Sequence, residues 1–148
     1  MNRVARILAV AAVAALSVAS FAGEGWLTSW SEAAKLSKKT GKPILADFTG
    51  SDWCYWCKKL DSEIFSTKEF KSWAAKNVVL LTLDFPQKTK QDAKLKQQND
   101  GLAKKYGIQG FPTVLVLNAS GDKLGELGYM EGGPSKWLPE ASKFVKKK

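Results

Sequence analysis

The 148 residues, 45% of them apolar and 25% charged, suffice for one domain with an ordinary core and exclude both a disordered chain and a disulfide-stapled one, since only two cysteines are present. The formal net charge is +9 and histidine is absent, so histidine-based catalysis is excluded. A zinc site would find no histidine and no second cysteine pair to complete its four ligands within one chain.

The chain opens with Arg3 and Arg6 ahead of an apolar run over residues 7–18, followed by Ser20-Phe21-Ala22, which places small residues three and one before a cut. Residues 1–22 are expected to be a secretory signal peptide, cut after Ala22 or alternatively Ala19, leaving a domain over 23–148 that is periplasmic or secreted. Read as an uncleaved anchor, the run falls short of the ~20 residues that cross a bilayer. Loss of the segment removes two arginines and no acid, lowering the net charge to +7 with lysine as the only basic side chain. These lysines are scattered and not interleaved with aromatics, so a nucleic-acid partner is not expected.

Ser29 and Glu32 form a capping box ahead of Trp30, Ala33, Ala34 and Ser37 at helical spacing, which predicts a helix over 31–39, stopped by Gly41 and Pro43. Residues 43–49 form a nearly continuous apolar run that reads as a strand covered on both faces, with Asp47 inside it. Gly50-Ser51-Asp52 is a turn, and a helix begins near Cys54. There Cys57, Leu60, Ile64 and Phe65 share a buried stripe, which leaves Cys54 at the exposed tip. Ser66 and Glu69 suggest a second capping box that carries the helix on to about residue 76. A second strand is expected over 78–83, then a polar loop passing into a surface helix that carries Leu102, Ala103 and Tyr106 and ends at Gly107. A strand over 114–117 and an antiparallel return over 123–129 precede a last helix opened by Pro134, with Trp137, Leu138, Ala141, Phe144 and Val145 inward. The alternation of strands and helices implies one α/β domain with a mixed sheet between helices; a monomer is expected.

Cys54-Tyr55-Trp56-Cys57 holds both cysteines of the chain. In an exported protein such a pair is a redox couple or a structural disulfide, and so short a loop removes little entropy from the unfolded chain. At a helix N-terminus the free backbone N–H groups and the dipole favour a thiolate at Cys54, and Lys58 and Lys59 add positive charge. Cys54 would attack a substrate disulfide and Cys57 would resolve the mixed disulfide. With no histidine available, Asp47 is the candidate to take the proton from Cys57.

Trp53-Cys54-x-x-Cys57-Lys58, preceded by Ile44-Leu45-Ala46-Asp47-Phe48 and followed by Gly107-Ile108-Gln109-Gly110-Phe111-Pro112-Thr113, resembles the thioredoxin superfamily over about residues 26–145. Within it the chain is similar to exported bacterial thioredoxin-like proteins, including the C-terminal domain of the transmembrane thiol:disulfide interchange protein. The resemblance implies a thioredoxin fold with Cys54 as nucleophile, Cys57 as resolving thiol, Asp47 as buried acid, Pro112 as a cis proline facing the disulfide and Trp53 shaping the groove beside Cys54. Trp53, Tyr55, Trp56, Phe111 and Pro112 are thus the candidate substrate-binding residues. The chain departs from thioredoxin in three ways. Tyr55-Trp56 stands between the cysteines in place of Gly-Pro, Asp47 lies one residue further from Cys54, and Leu80 occupies the position of the lysine that accompanies the buried acid.

The expected function is exchange of disulfides with protein thiols and disulfides, as a reductase or isomerase in preference to an oxidase. No cofactor or metal is expected, and a membrane or soluble redox partner would recharge the pair. The alternative is a binding or chaperone-like module of the same fold with a structural disulfide.

Overall fold

The structure, a computed structural model, describes residues 21–23 and 25–145. Most of the predicted signal peptide, residues 1–20, therefore lies outside the described residues. Six strands form one mixed sheet in the order β1-β2-β4-β3-β5-β6: β1 Phe21–Gly23, β2 Trp26–Leu27, β3 Ile44–Thr49, β4 Val79–Asp84, β5 Thr113–Leu117 and β6 Lys123–Leu127. β3 lies parallel to β4 and antiparallel to β5, β4 is parallel to β2, and the two margins are the antiparallel pairs β1–β2 and β5–β6.

Every residue of β3 is buried, as its continuous apolar run predicts for a strand with helices on both faces. Side chains alternate between those faces. Ile44, Ala46 and Phe48 point to a core shared with Leu81, Leu83, Leu115 and Leu117 and closed by α1 (Trp30–Thr40) and α4 (Ala93–Tyr106). Leu45 points to the opposite core, with Leu60, Ile64, Phe70, Val114 and Trp137, beneath α2 (Tyr55–Leu60), α3 (Lys68–Asn77) and α5 (Pro134–Val145). Asp47 falls two residues after Leu45, so it shares the face on which α2 lies. The α2 side is rich in rings: Trp26, Phe65, Phe70, Trp73 and Trp137 pack with centroids 4.7–6.5 Å apart. Trp137 is fully buried and its indole N–H donates to the Gly128 carbonyl at 3.0 Å.

The first helix starts as its capping box predicts, with Ser29 Oγ accepting the Glu32 N–H, and it ends at Gly41 with φ 71°. The second predicted box is corrected by one residue. Thr67, not Ser66, caps α3, its Oγ1 accepting the Phe70 N–H at 3.2 Å. Ser66 is instead engaged in the π-helical turn Asp61–Phe65, where its N–H donates to the Asp61 carbonyl at 2.8 Å. That wider turn shifts the restart of the helix and frees Thr67 to adopt the extended backbone a cap needs.

Candidate active site

Gly50, at the end of β3, starts the turn that delivers the cysteines. Its carbonyl accepts the N–H of Cys54 at 2.9 Å, and its own N–H meets the Cys57 sulfur at 3.5 Å. Cys54 is the N-cap of α2: its sulfur accepts the Cys57 N–H at 3.2 Å, the position a side-chain oxygen takes in an ordinary helix cap. Cys54 and Cys57 are joined in a disulfide with Cα atoms 5.3 Å apart. No acid occupies the first turn of α2, and Lys58 and Lys59 follow the pair. The free N–H groups and dipole at the start of the helix therefore favour negative charge on Cys54.

The expected contrast in exposure between the two sulfurs is not found: Cys54 and Cys57 are each 5% exposed. In the closed ring the Cys54 sulfur is drawn against Cys57 and its backbone amide, and away from solvent.

The turn itself is anchored from both sides. Asp52 accepts the N–H groups of Gln87, Lys88 and Thr89 at 2.8–3.0 Å, and these bonds hold its carboxyl below the usual carboxylate range. Ser51 bonds the Asp84 carboxylate through both its N–H and its hydroxyl. Trp53 folds back over Gly50, donates its indole N–H to the Phe85 carbonyl at 2.8 Å and meets the Phe111 ring edge-on at 5.8 Å.

Asp47 sits within β3, paired with Thr82 on one side and Val114 on the other, and so inside the strand, not at its end. It is 7% exposed, and its Oδ1 has no hydrogen-bond partner. Burial, reinforced by Asp61 and Asp84, pushes its carboxyl up to about 8. Asp47 and Cys57 line one cavity of about 640 Å³, together with Thr49, Lys58, Asp61 and Asp84. Leu80 lies opposite Leu45 at the margin of the core, and no lysine pairs with Asp47 among the described residues.

The Phe111–Pro112 peptide bond is cis. Pro112, Phe111, Trp56, Tyr129 and Glu131 line an open groove of about 410 Å³. Tyr55 and Trp56 are 64% and 49% exposed, so the aromatic pair forms a rim and does not pack into the sheet. Their rings meet edge-on at 5.1 Å, and Trp56 leans on Tyr129 at 5.2 Å. Behind them, Lys59 Nζ lies 5.9 Å from the Trp56 ring and 5.6 Å from that of Tyr129 while pairing with Glu63 at 3.0 Å. The Tyr129 hydroxyl donates to Glu63 at 2.5 Å, which lowers the Glu63 carboxyl and raises the Tyr129 phenol.

The predicted site residues thus fall into two groups: Asp47 and Cys57, which line one cavity, and Trp56, Phe111 and Pro112, which line a separate groove. Trp53 is turned toward Phe85 and Phe111, where it braces the turn. Tyr129, Glu131 and Asp52 are additions. Tyr129 lies in a glycine-bracketed turn far along the chain, and no local pattern ties it to the cysteines. Asp52, a turn aspartate directly before Trp53-Cys54, was open to recognition as a cap for a loop elsewhere.

Residues 30–140 match the family described as thioredoxin-like domain. The chain is 36% identical over 118 residues to the disulfide bond reductase DsbH of Chlamydia pneumoniae, an alignment spanning 80% of this chain and 71% of that protein. It is 31% identical over 99 residues to the thiol:disulfide interchange protein DsbD of Klebsiella pneumoniae, 65% of this chain but only 15% of that much longer protein. A solved structure titled DsbH oxidoreductase superposes with a TM-score of 0.77 at 31% identity, covering 91% of this chain and 96% of its own. With a cysteine pair at the start of a helix, a cis proline ahead of β5 and a sheet of this order, the chain belongs to the thioredoxin-like domain family.

Proposed function

We propose that this chain is an exported thiol-disulfide oxidoreductase that reduces, or isomerises, disulfides of protein substrates. The observation that carries this reading is the Cys54–Cys57 disulfide placed at a helix N-cap between a buried, proton-holding Asp47 and the open groove at cis-Pro112. Likeness to a protein named a disulfide bond reductase favours the reducing direction. Export is favoured by the leader-like residues 1–22. Among the described residues no helix is long and apolar enough to cross a membrane.

In the reduced protein the Cys54 thiolate attacks one sulfur of the substrate disulfide. A Cys54–substrate S–S bond forms, the substrate's own S–S bond breaks, and the departing thiolate takes a proton from solvent. Cys57 then passes its proton to Asp47 in its ionised form and attacks the Cys54 sulfur; the Cys54–substrate bond breaks, and the second substrate thiolate leaves and takes a proton from solvent, to which Asp47 returns its own. The substrate gains two electrons and two protons, and the pair becomes the disulfide seen here. A dithiol partner, membrane-bound or soluble, restores the reduced pair by the reverse exchange. Burial suits Asp47 to this part because it accepts a proton near neutral pH, where an ordinary carboxylate does not.

The test is reduction of insulin by dithiothreitol with and without the protein. Acceleration that vanishes in Cys54→Ser supports the reading. No acceleration, together with a disulfide that resists glutathione, would leave a binding module with a structural disulfide. The reduction potential of the pair against glutathione then decides direction: a low value marks a reductase, and a much more oxidising one an isomerase or oxidase.

A further inference from the structure

The groove beside the disulfide is built from Trp56, Phe111, cis-Pro112 and Tyr129, and it contains one charged residue, Glu131. Trp56 stands between the two cysteines in the chain, so one wall of this groove is the residue bonded to Cys57. The nearby Lys59 is already matched by Glu63 at 3.0 Å, whereas Glu131 is exposed and has no ion pair or side-chain hydrogen bond among the described residues. Elsewhere on the surface lysines dominate, in a chain of net charge +9. An unmatched carboxylate lining one groove with aromatic residues is a setting for a cation with an apolar stem: the stem packs on the rings, and the charge meets the ring faces and the carboxylate. Resting on the oxidoreductase reading above, we propose that Glu131 is a specificity-determining residue, and that the groove takes an arginine or lysine side chain flanking the disulfide of the polypeptide substrate.

The experiment uses pre-reduced protein and three synthetic peptide disulfides that differ only in the residue next to one cysteine: arginine, alanine or glutamate. The expected result is a kcat/KM for the arginine peptide about fivefold above that for the glutamate peptide at low salt, shrinking as salt is added. In Glu131→Gln the ratio falls toward one, and in Glu131→Lys it inverts. Because the ratio is taken within each variant, it does not depend on the fraction of active protein. Equal rates for all three peptides, or a preference that survives Glu131→Lys, overturns the proposal while leaving the oxidoreductase reading in place. Failure to reduce any of the peptides overturns both.

Discussion

Asp47 and Cys57 line the same cavity, the carboxylate rising from the middle of the central strand and the sulfur from the first turn of the helix laid over it. The strand's parity accounts for this meeting, since Asp47 shares the face of Leu45. It places a group that holds a proton up to about pH 8 in the cavity that Cys57, the proposed resolving thiol, also lines.

Asp47→Asn should therefore separate stability from catalysis. The native carboxyl titrates near 8 and the unfolded one near 3.8, so the folded state binds the extra proton between these values. Stability linked to Asp47 is fully present below about pH 3.8 and is lost as pH rises toward 8. The amide variant is expected to flatten that decline and to raise stability at pH 9 by on the order of 2–5 kcal/mol, as followed by urea unfolding across pH. Resolution of the mixed disulfide should slow by roughly 10- to 100-fold near neutral pH. Unchanged stability at pH 9 would contradict the buried, unpartnered state of Asp47, and unchanged kinetics would remove it from proton transfer.

Cys57→Ser removes the resolving thiol and keeps the nucleophile. Mixed disulfides with partner proteins should accumulate through Cys54, visible as adducts on non-reducing gels and lost with reductant. Cys54→Ser should give far fewer, and equal trapping by the two variants would reverse the assigned roles.

Gly50→Ala tests the brace on the turn. An added Cβ would lie 2.4 Å from the Trp53 ring, and that ring is pinned by Phe85 and Phe111. The ring must leave its place, so a loss of about 1–3 kcal/mol is expected along with slower disulfide exchange. Thermal unfolding and insulin reduction measure the two effects, and a variant as stable and active as the parent would show the turn to be pliant.

The cysteine end of this site was legible in local patterns, two cysteines at helical spacing after an apolar run ending in glycine, whereas the residues around Pro112 showed only a turn, and its cis bond followed from the resemblance to thioredoxins. The strands were legible for a similar reason, since a buried central strand such as residues 44–49 carries apolar residues on both faces. What escaped depends on partners distant in sequence. Tyr129 reaches Trp56 only because β6 brings the chain back beside β5. The one-residue error at the α3 cap came from the π-helical turn, whose looser winding leaves no mark in the hydrophobic period. The burial of Cys54 follows from its bond to Cys57, a state of oxidation that spacing does not encode.

Asp52→Ala removes the acceptor for three consecutive backbone N–H groups in the loop over residues 87–89. That loop contains Lys88, and Lys90 follows it, so trypsin should cut there several-fold faster in the variant. Because the Asp52 carboxyl is held below its usual range, the tether persists at neutral and mildly acidic pH and is lost only as pH falls below the ordinary carboxylate value. Equal cleavage of parent and variant at pH 7 would show that the loop holds without it.

β3 is bonded along its length to β4 and to β5, whereas β1, β2 and β6 have short pairings at the margins of the sheet. Opening events begin where pairing is thinnest, so amide hydrogens of the marginal strands should exchange with solvent well before those of residues 44–49. The cysteine pair is hung directly from the end of that slowest-opening strand. The molecule can loosen at both margins while the sulfurs stay registered to the strand with the fullest pairing in the sheet.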